Sequence, residues 1–171
     1  MTDLQALVSL LKRRLSDYGY DEVDPGDAPD GSLHAVIKTQ RRWMVRYVCA
    51  VAEPPHPIRD LEGALAYFHE LRKRLTRKYA RFPWYKELGT YSVLICDHTL
   101  YEALRGAERR FKDATGLHSN VMLGSVFVNR QSLETKGTST WGLFHSGRHF
   151  GAINAAVSEW AESSLAAQPS R

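Results

Sequence analysis

The stretch from Trp43 to Ala52 constrains this chain more than any other. Trp43, Val45, Tyr47, Cys49 and Val51 alternate onto one side of an extended strand. Met44, Val48 and Ala50 occupy the other side, interrupted only by Arg46. A strand that is apolar on both faces is covered on both, so it belongs at the centre of a sheet with helices above and below. Glu53-Pro54-Pro55-His56-Pro57 ends it, because proline cannot donate to a sheet ladder.

The neighbouring segments supply that cover. Leu4, Leu7, Val8, Leu11 and Leu15 recur at three- and four-residue spacing and predict a helix from Asp3 to Asp17, with Lys12, Arg13 and Arg14 near its C-terminal end. Tyr18-Gly19-Tyr20 breaks it. A short strand over Tyr20 to Val23, a turn-rich loop from Asp24 to Gly31, and a strand from Leu33 to Lys38 follow. Thr39 to Arg42 is a four-residue hairpin connection into the central strand. Asp60 is a good N-cap for a helix reaching Tyr79, with Leu61, Leu65, Phe68, Leu71, Leu75 and Tyr79 as its stripe. Beyond it come a strand over Tyr91 to Cys96 and a capping box at Thr99 to Glu102. That box opens a helix carrying Leu100, Leu104, Ala107 and Phe111, which Gly116 ends. A strand over Asn120 to Asn129, a polar loop from Arg130 to Gly137 and a strand over Thr138 to Phe144 come next. Phe150, Ile153, Val157 and Trp160 mark the last helix, and Ser163 to Arg171 reads as a frayed tail.

The expected class is α/β (or α+β): a mixed sheet of about five strands flanked by helices, in the order α-β-β-β-α-β-α-β-(β)-α. The 171 residues fit a single domain. Over about the first 96 residues this order resembles the common core of restriction-endonuclease-like nucleases, which begins helix, three strands, helix, strand. That resemblance implies an acid on the second strand and an acid-x-Lys pair on the third, holding Mg²⁺ for phosphodiester hydrolysis. The chain departs from it. Leu33 to Lys38 contains no acid, the third strand carries Arg46 and no acid before Glu53, and Asp30 precedes the second strand.

Other reactive signatures are missing as well. Gly-x-Gly-x-x-Gly and the P-loop do not occur, and Ser146 has Phe144 rather than glycine two residues before it. Cys49 and Cys96 lie inside apolar runs, as expected of buried free thiols in a reducing cytoplasm; a disulfide is the alternative, since adjacent strands could bring them together. Neither cysteine forms a metal-binding pair, so neither metal nor cofactor is expected. No basic-then-apolar leader and no run near the ~18 apolar residues of a membrane span is present, which predicts a cytoplasmic protein without membrane attachment. The net charge of +4 is uneven. Residues 1–30 hold three bases and seven acids, the remaining 141 hold 20 and 12, and a basic body attracts anions.

Three places could carry function. His145-Ser146-Gly147-Arg148-His149 sits where strand gives way to helix. Ser146 as N-cap, free backbone N–H groups, the Arg148 fork and the imidazoles of His145 and His149 suit a phosphate, nucleotide or acidic side chain. The alternative there is a plain capped helix start. Arg72, Arg74, Arg77, Lys78 and Arg81 lead into Trp84, a pattern of bases beside aromatics that suits nucleic acid; a solvated helix end is the alternative. Asp97-His98 follows a strand end, where ligands gather in α/β sheets, although Asp is also an ordinary turn residue. The expectation is a non-catalytic domain that recognises an anionic partner. The alternatives are a hydrolase of phosphorylated or nucleic-acid substrates, or a subunit using exposed aromatics such as Trp84 for a protein partner or self-association.

Overall fold

In the computed structural model of the protein, the described residues are 3–23, 33–39, 45–55, 58–79, 87–107, 120–139 and 146–167. The elements in order are α1 (Leu4–Ser16), β1 (Tyr20–Val23), β2 (Leu33–Thr39), β3 (Val45–Ala52), α2 (Leu61–Tyr79), β4 (Glu87–Cys96), α3 (His98–Leu104), β5 (Asn120–Asn129), β6 (Thr135–Ser139) and α4 (Ser146–Ala166). The six strands form one sheet in sequence order, β1-β2-β3-β4-β5-β6. β1, β2 and β3 are an antiparallel meander, β3, β4 and β5 run parallel, and β6 returns antiparallel. The mixed α/β architecture is thus present, with six strands where about five were expected.

β3 lies between β2 and β4, and its two apolar faces enter two separate cores. Cys49 and Val51 join Leu7, Leu11 and Leu15 of α1 and Ile153, Val157 and Trp160 of α4. Val48, Ala50 and Ala52 join Phe68, Leu71 and Leu75 of α2 and Leu100 and Leu104 of α3. The sheet is therefore sandwiched between α1 with α4 and α2 with α3. Each fully buried leucine or phenylalanine stabilises this arrangement by about 1.5–3 kcal/mol. Arg46, the one break in the β3 pattern, donates to the Tyr79 carbonyl at 2.8 Å. It thereby satisfies an acceptor at the C-terminal end of α2, where the helix dipole is negative. Both cysteines are buried free thiols. Burial pushes each up to about 12, so neither is a thiolate nucleophile at neutral pH.

Several boundaries differ from those read in the sequence. The cap of α3 is Asp97, whose carboxylate accepts from Leu100 N at 2.8 Å; Thr99 is already inside the first turn. α3 stops at Leu104, before Gly106 with φ +89°, rather than running to Gly116. β4 begins at Glu87. β6 is Thr135–Ser139, so it begins at Thr135 rather than Thr138 and follows a turn shorter than the loop expected over Arg130 to Gly137; residues 140–144 lie outside the described residues. α4 continues through Ser163 and Ser164 to Ala166 where a frayed tail was read. The Asp24–Gly31 loop, most of the Thr39–Arg42 hairpin connection and the segment from Phe111 to Gly116 lie outside the described residues.

Candidate anion-binding cleft

α1 and α4 come from opposite ends of the chain and pack antiparallel on the same face of the sheet. Trp160 Nε1 donates to Asp3 O at 3.0 Å, where α1 begins. At the other end of the pair, the last turn of α1 meets the first turns of α4. Between them opens a cleft of about 550 Å³, formed on one side by Arg13, Arg14, Asp17 and Tyr18 and on the other by Arg148, Gly151 and Ala152.

The cleft is lined by three arginines and the carboxylate of Asp17. Arg13 Nη2 and Arg14 Nη2 each donate to a different oxygen of Glu159 at 2.7 Å. Hydrogen bonds from Arg14 and Arg13 hold the Glu159 carboxyl below its usual range. One carboxylate cannot satisfy two guanidinium groups of five donors each, so donors remain for a further acceptor. Arg148 is exposed and has no ion pair among the described residues. Three arginines thus line the cleft with one carboxylate, Asp17, among the described residues.

Gly151 lines the cleft from α4. It sits inside α4, and a Cβ there would meet nothing within 4 Å. Glycine in a helix interior costs about 1 kcal/mol relative to alanine. Gly151→Ala is therefore expected to stabilise the fold by about 0.5–1 kcal/mol in urea unfolding; a destabilised variant would show that the helix is not free there.

The sequence-predicted loop is split by the structure. Arg148 enters the cleft, whereas His149 turns toward the sheet. Its Nδ1 shares a hydrogen bond of 2.9 Å with the Tyr20 hydroxyl, and its ring packs against Tyr18, Tyr20, Tyr47 and Tyr91, with centroids 4.7 to 6.2 Å away. Burial, then the neighbours Tyr91, Cys49 and Tyr47, raise the Tyr20 hydroxyl far above its ordinary value, so it stays a neutral phenol. Ser146 is the first residue of α4 rather than a residue ahead of it. His145 lies outside the described residues, as does the side chain of Ser146.

The basic helix end divides too. Arg72 is 6% exposed, and burial lowers its basicity, so it drops out of any surface stripe. Lys78, joined by Lys38, stands over the Tyr79 ring at 5.6 and 5.4 Å. Arg74 and Arg77 are exposed, and Arg81 and Trp84 lie outside the described residues.

At the carboxyl ends of the parallel strands the polar groups are engaged with one another. Glu53 binds His34 Nε2 at 3.3 Å and also Arg130. Asn129, fully buried, accepts from Gln131 N and Ser132 N and shares a 3.1 Å hydrogen bond with His98 Nδ1. Asp97 is occupied as a helix cap, and Asp30 lies outside the described residues. β2 and β3 carry no carboxylate, and among the described residues no three His, Cys, Asp or Glu side chains are grouped to hold a metal ion. No described helix is long and apolar enough to cross a membrane.

What sequence reasoning missed is the contribution of α1. Arg13 and Arg14 were legible as dipole partners of their own helix and Tyr18 as a breaker, but their meeting with Arg148 depends on long-range packing. Comparison of the chain with known protein families, with characterised proteins and with solved structures finds no match.

Proposed function

We propose that this protein is a binding domain that recognises a phosphate-bearing ligand in the cleft between α1 and α4. The observation that carries the reading is the convergence of Arg148 with Arg13 and Arg14 around a concavity large enough for a small molecule. Guanidinium forks match phosphate oxygens and hold them with charge-assisted hydrogen bonds. Phosphate is favoured over a bare carboxylate because its greater charge and extra oxygens can engage several forks at once.

Inorganic phosphate or pyrophosphate is expected to raise the melting temperature in a dose-dependent, salt-sensitive manner. Arg148→Ala removes a charge-assisted hydrogen bond worth about 1.5–3 kcal/mol, so it should weaken binding at least tenfold. Arg13→Ala and Arg14→Ala should each do less, because either one alone still leaves a neighbouring fork. If phosphate stabilises the Arg148→Ala protein as well as the unaltered one, the cleft is not the site.

A further inference from the structure

We infer that the cleft takes a nucleoside phosphate, its base lying against Tyr18 and its phosphate on Arg148, an assignment that rests on the anion-binding reading above. Three features of the cleft go beyond what a bare anion requires.

The first is Tyr18. Among the described residues only Tyr18, at 36%, and Leu165, at 48%, are large apolar side chains left exposed, and only Tyr18 lines the cleft. The turn that carries it is held by its backbone. Tyr18 N donates to Leu15 O at 3.0 Å, Gly19 N donates to Ser16 O at 2.8 Å, and Gly19 turns the chain with φ +74°. His149, anchored by Tyr20, backs the Tyr18 ring at 4.7 Å. An aromatic ring carried on a hydrogen-bonded turn, backed by its neighbour and open to the cleft, is a stacking platform for a planar base.

The second is Asp17, a carboxylate beside the arginines. It repels a bare phosphate. It accepts hydrogen bonds from the hydroxyls of a sugar or the exocyclic amine of a base, donors that a nucleoside phosphate carries alongside its anion. The third is size. About 550 Å³ falls within the roughly 300–1,000 Å³ of small-molecule sites, well beyond the needs of one phosphate group. Gly151 and Ala152 leave the α4 wall low along that length.

The test is calorimetric titration of the full chain with AMP, UMP, ribose 5-phosphate and inorganic phosphate. Both nucleotides are expected to bind about tenfold or more tightly than ribose 5-phosphate, because stacking on an aromatic side chain is sequence-tolerant. Tyr18→Ala should erase that margin by weakening both nucleotides more than ribose 5-phosphate, and Tyr18→Trp should keep it. Equal affinity for AMP and ribose 5-phosphate would overturn the stacking assignment and leave the phosphate reading standing. Failure of all four ligands to bind would overturn both. The same chemistry occurs in a free nucleotide and at the end of a nucleic-acid strand, so a single-stranded tetranucleotide completes the series. Tighter binding than AMP supports the strand end as the source, and equal or weaker binding supports the free nucleotide.

Discussion

Replacing Trp160 by alanine is expected to lower the unfolding free energy by about 3–5 kcal/mol, the range for deleting a large aromatic from a well-packed core. The residue is 2% exposed and belongs to the core cluster shared by α1, α4 and the sheet. Its indole N–H also donates to Asp3 O, the residue whose carboxylate caps α1 by accepting from Gln5 N and Ala6 N. One side chain therefore fills the core and fastens α4 to the start of α1. For a chain of this size the melting temperature should fall by roughly 6–20 °C. Trp160→Phe separates the two contributions: it keeps an aromatic ring, loses the hydrogen bond, and should cost less than the alanine variant. An alanine variant within about 1 kcal/mol of the unaltered protein in urea unfolding would mean that the two helices are not packed through Trp160.

That expectation leans on features that the sequence makes visible. The alternation from Trp43 to Ala52 reports a strand with two apolar faces, and β3 does contribute Cys49 and Val51 to one core and Val48 and Ala50 to the other. Asp3 is legible as the start of α1 because a short acid ahead of a periodic apolar run satisfies orphan helix donors. The misreadings have local causes. Thr99-x-x-Glu102 has the spacing of a capping box, but Asp97, in extended backbone, accepts from Leu100 N first. Thr135 to Ser139 contains no apolar residue, so edge strand β6 gives no periodic signal; its pairing to β5 defines it. Arg72 looks like part of a charged run, yet it stands four residues after Phe68 and three before Leu75. Those spacings place it on the buried stripe.

The cleft was half visible. Arg148 stands out in the sequence because it lies beside Ser146 and His149 at a helix start. His149 belongs to the tyrosine cluster under the helices, and no local pattern distinguishes an imidazole facing a core from one facing solvent. Arg13, Arg14 and Glu159 are ordinary surface charges when read within their own helices. They become one network only because α1 and α4 bury their apolar stripes side by side against the same face of the sheet. A binding surface assembled from the two ends of a chain is set by packing, which no window of sequence contains.

The contact that fixes the opening turns of α4 gives the second large effect. In β5, a Cβ on Gly124 would stand 2.5 Å from Phe150 Cδ2 and 3.2 Å from the carbonyl oxygen of Thr138 in β6. Gly137 of β6 is bare for the same reason, with Phe150 Cζ at 3.1 Å and Asn154 Oδ1 at 2.7 Å from its would-be Cβ. Phe150 thus lies directly on sheet backbone, two residues beyond Arg148 and next to His149. Gly124→Ala relieves some unfolded-chain entropy, but overpacking at such distances costs about 1–3 kcal/mol and should win. The displaced ring carries the first turns of α4 with it, so phosphate-induced stabilisation should fall as well, although the substitution is outside the cleft. Phe150→Leu supplies the control. Adding Gly124→Ala to that variant should cost much less than it does alone, leaving a coupling energy of about 1 kcal/mol or more between the two positions. Additive losses would mean that the ring does not rest on Gly124, and the placement of Arg148 at the cleft would lose its mechanical basis.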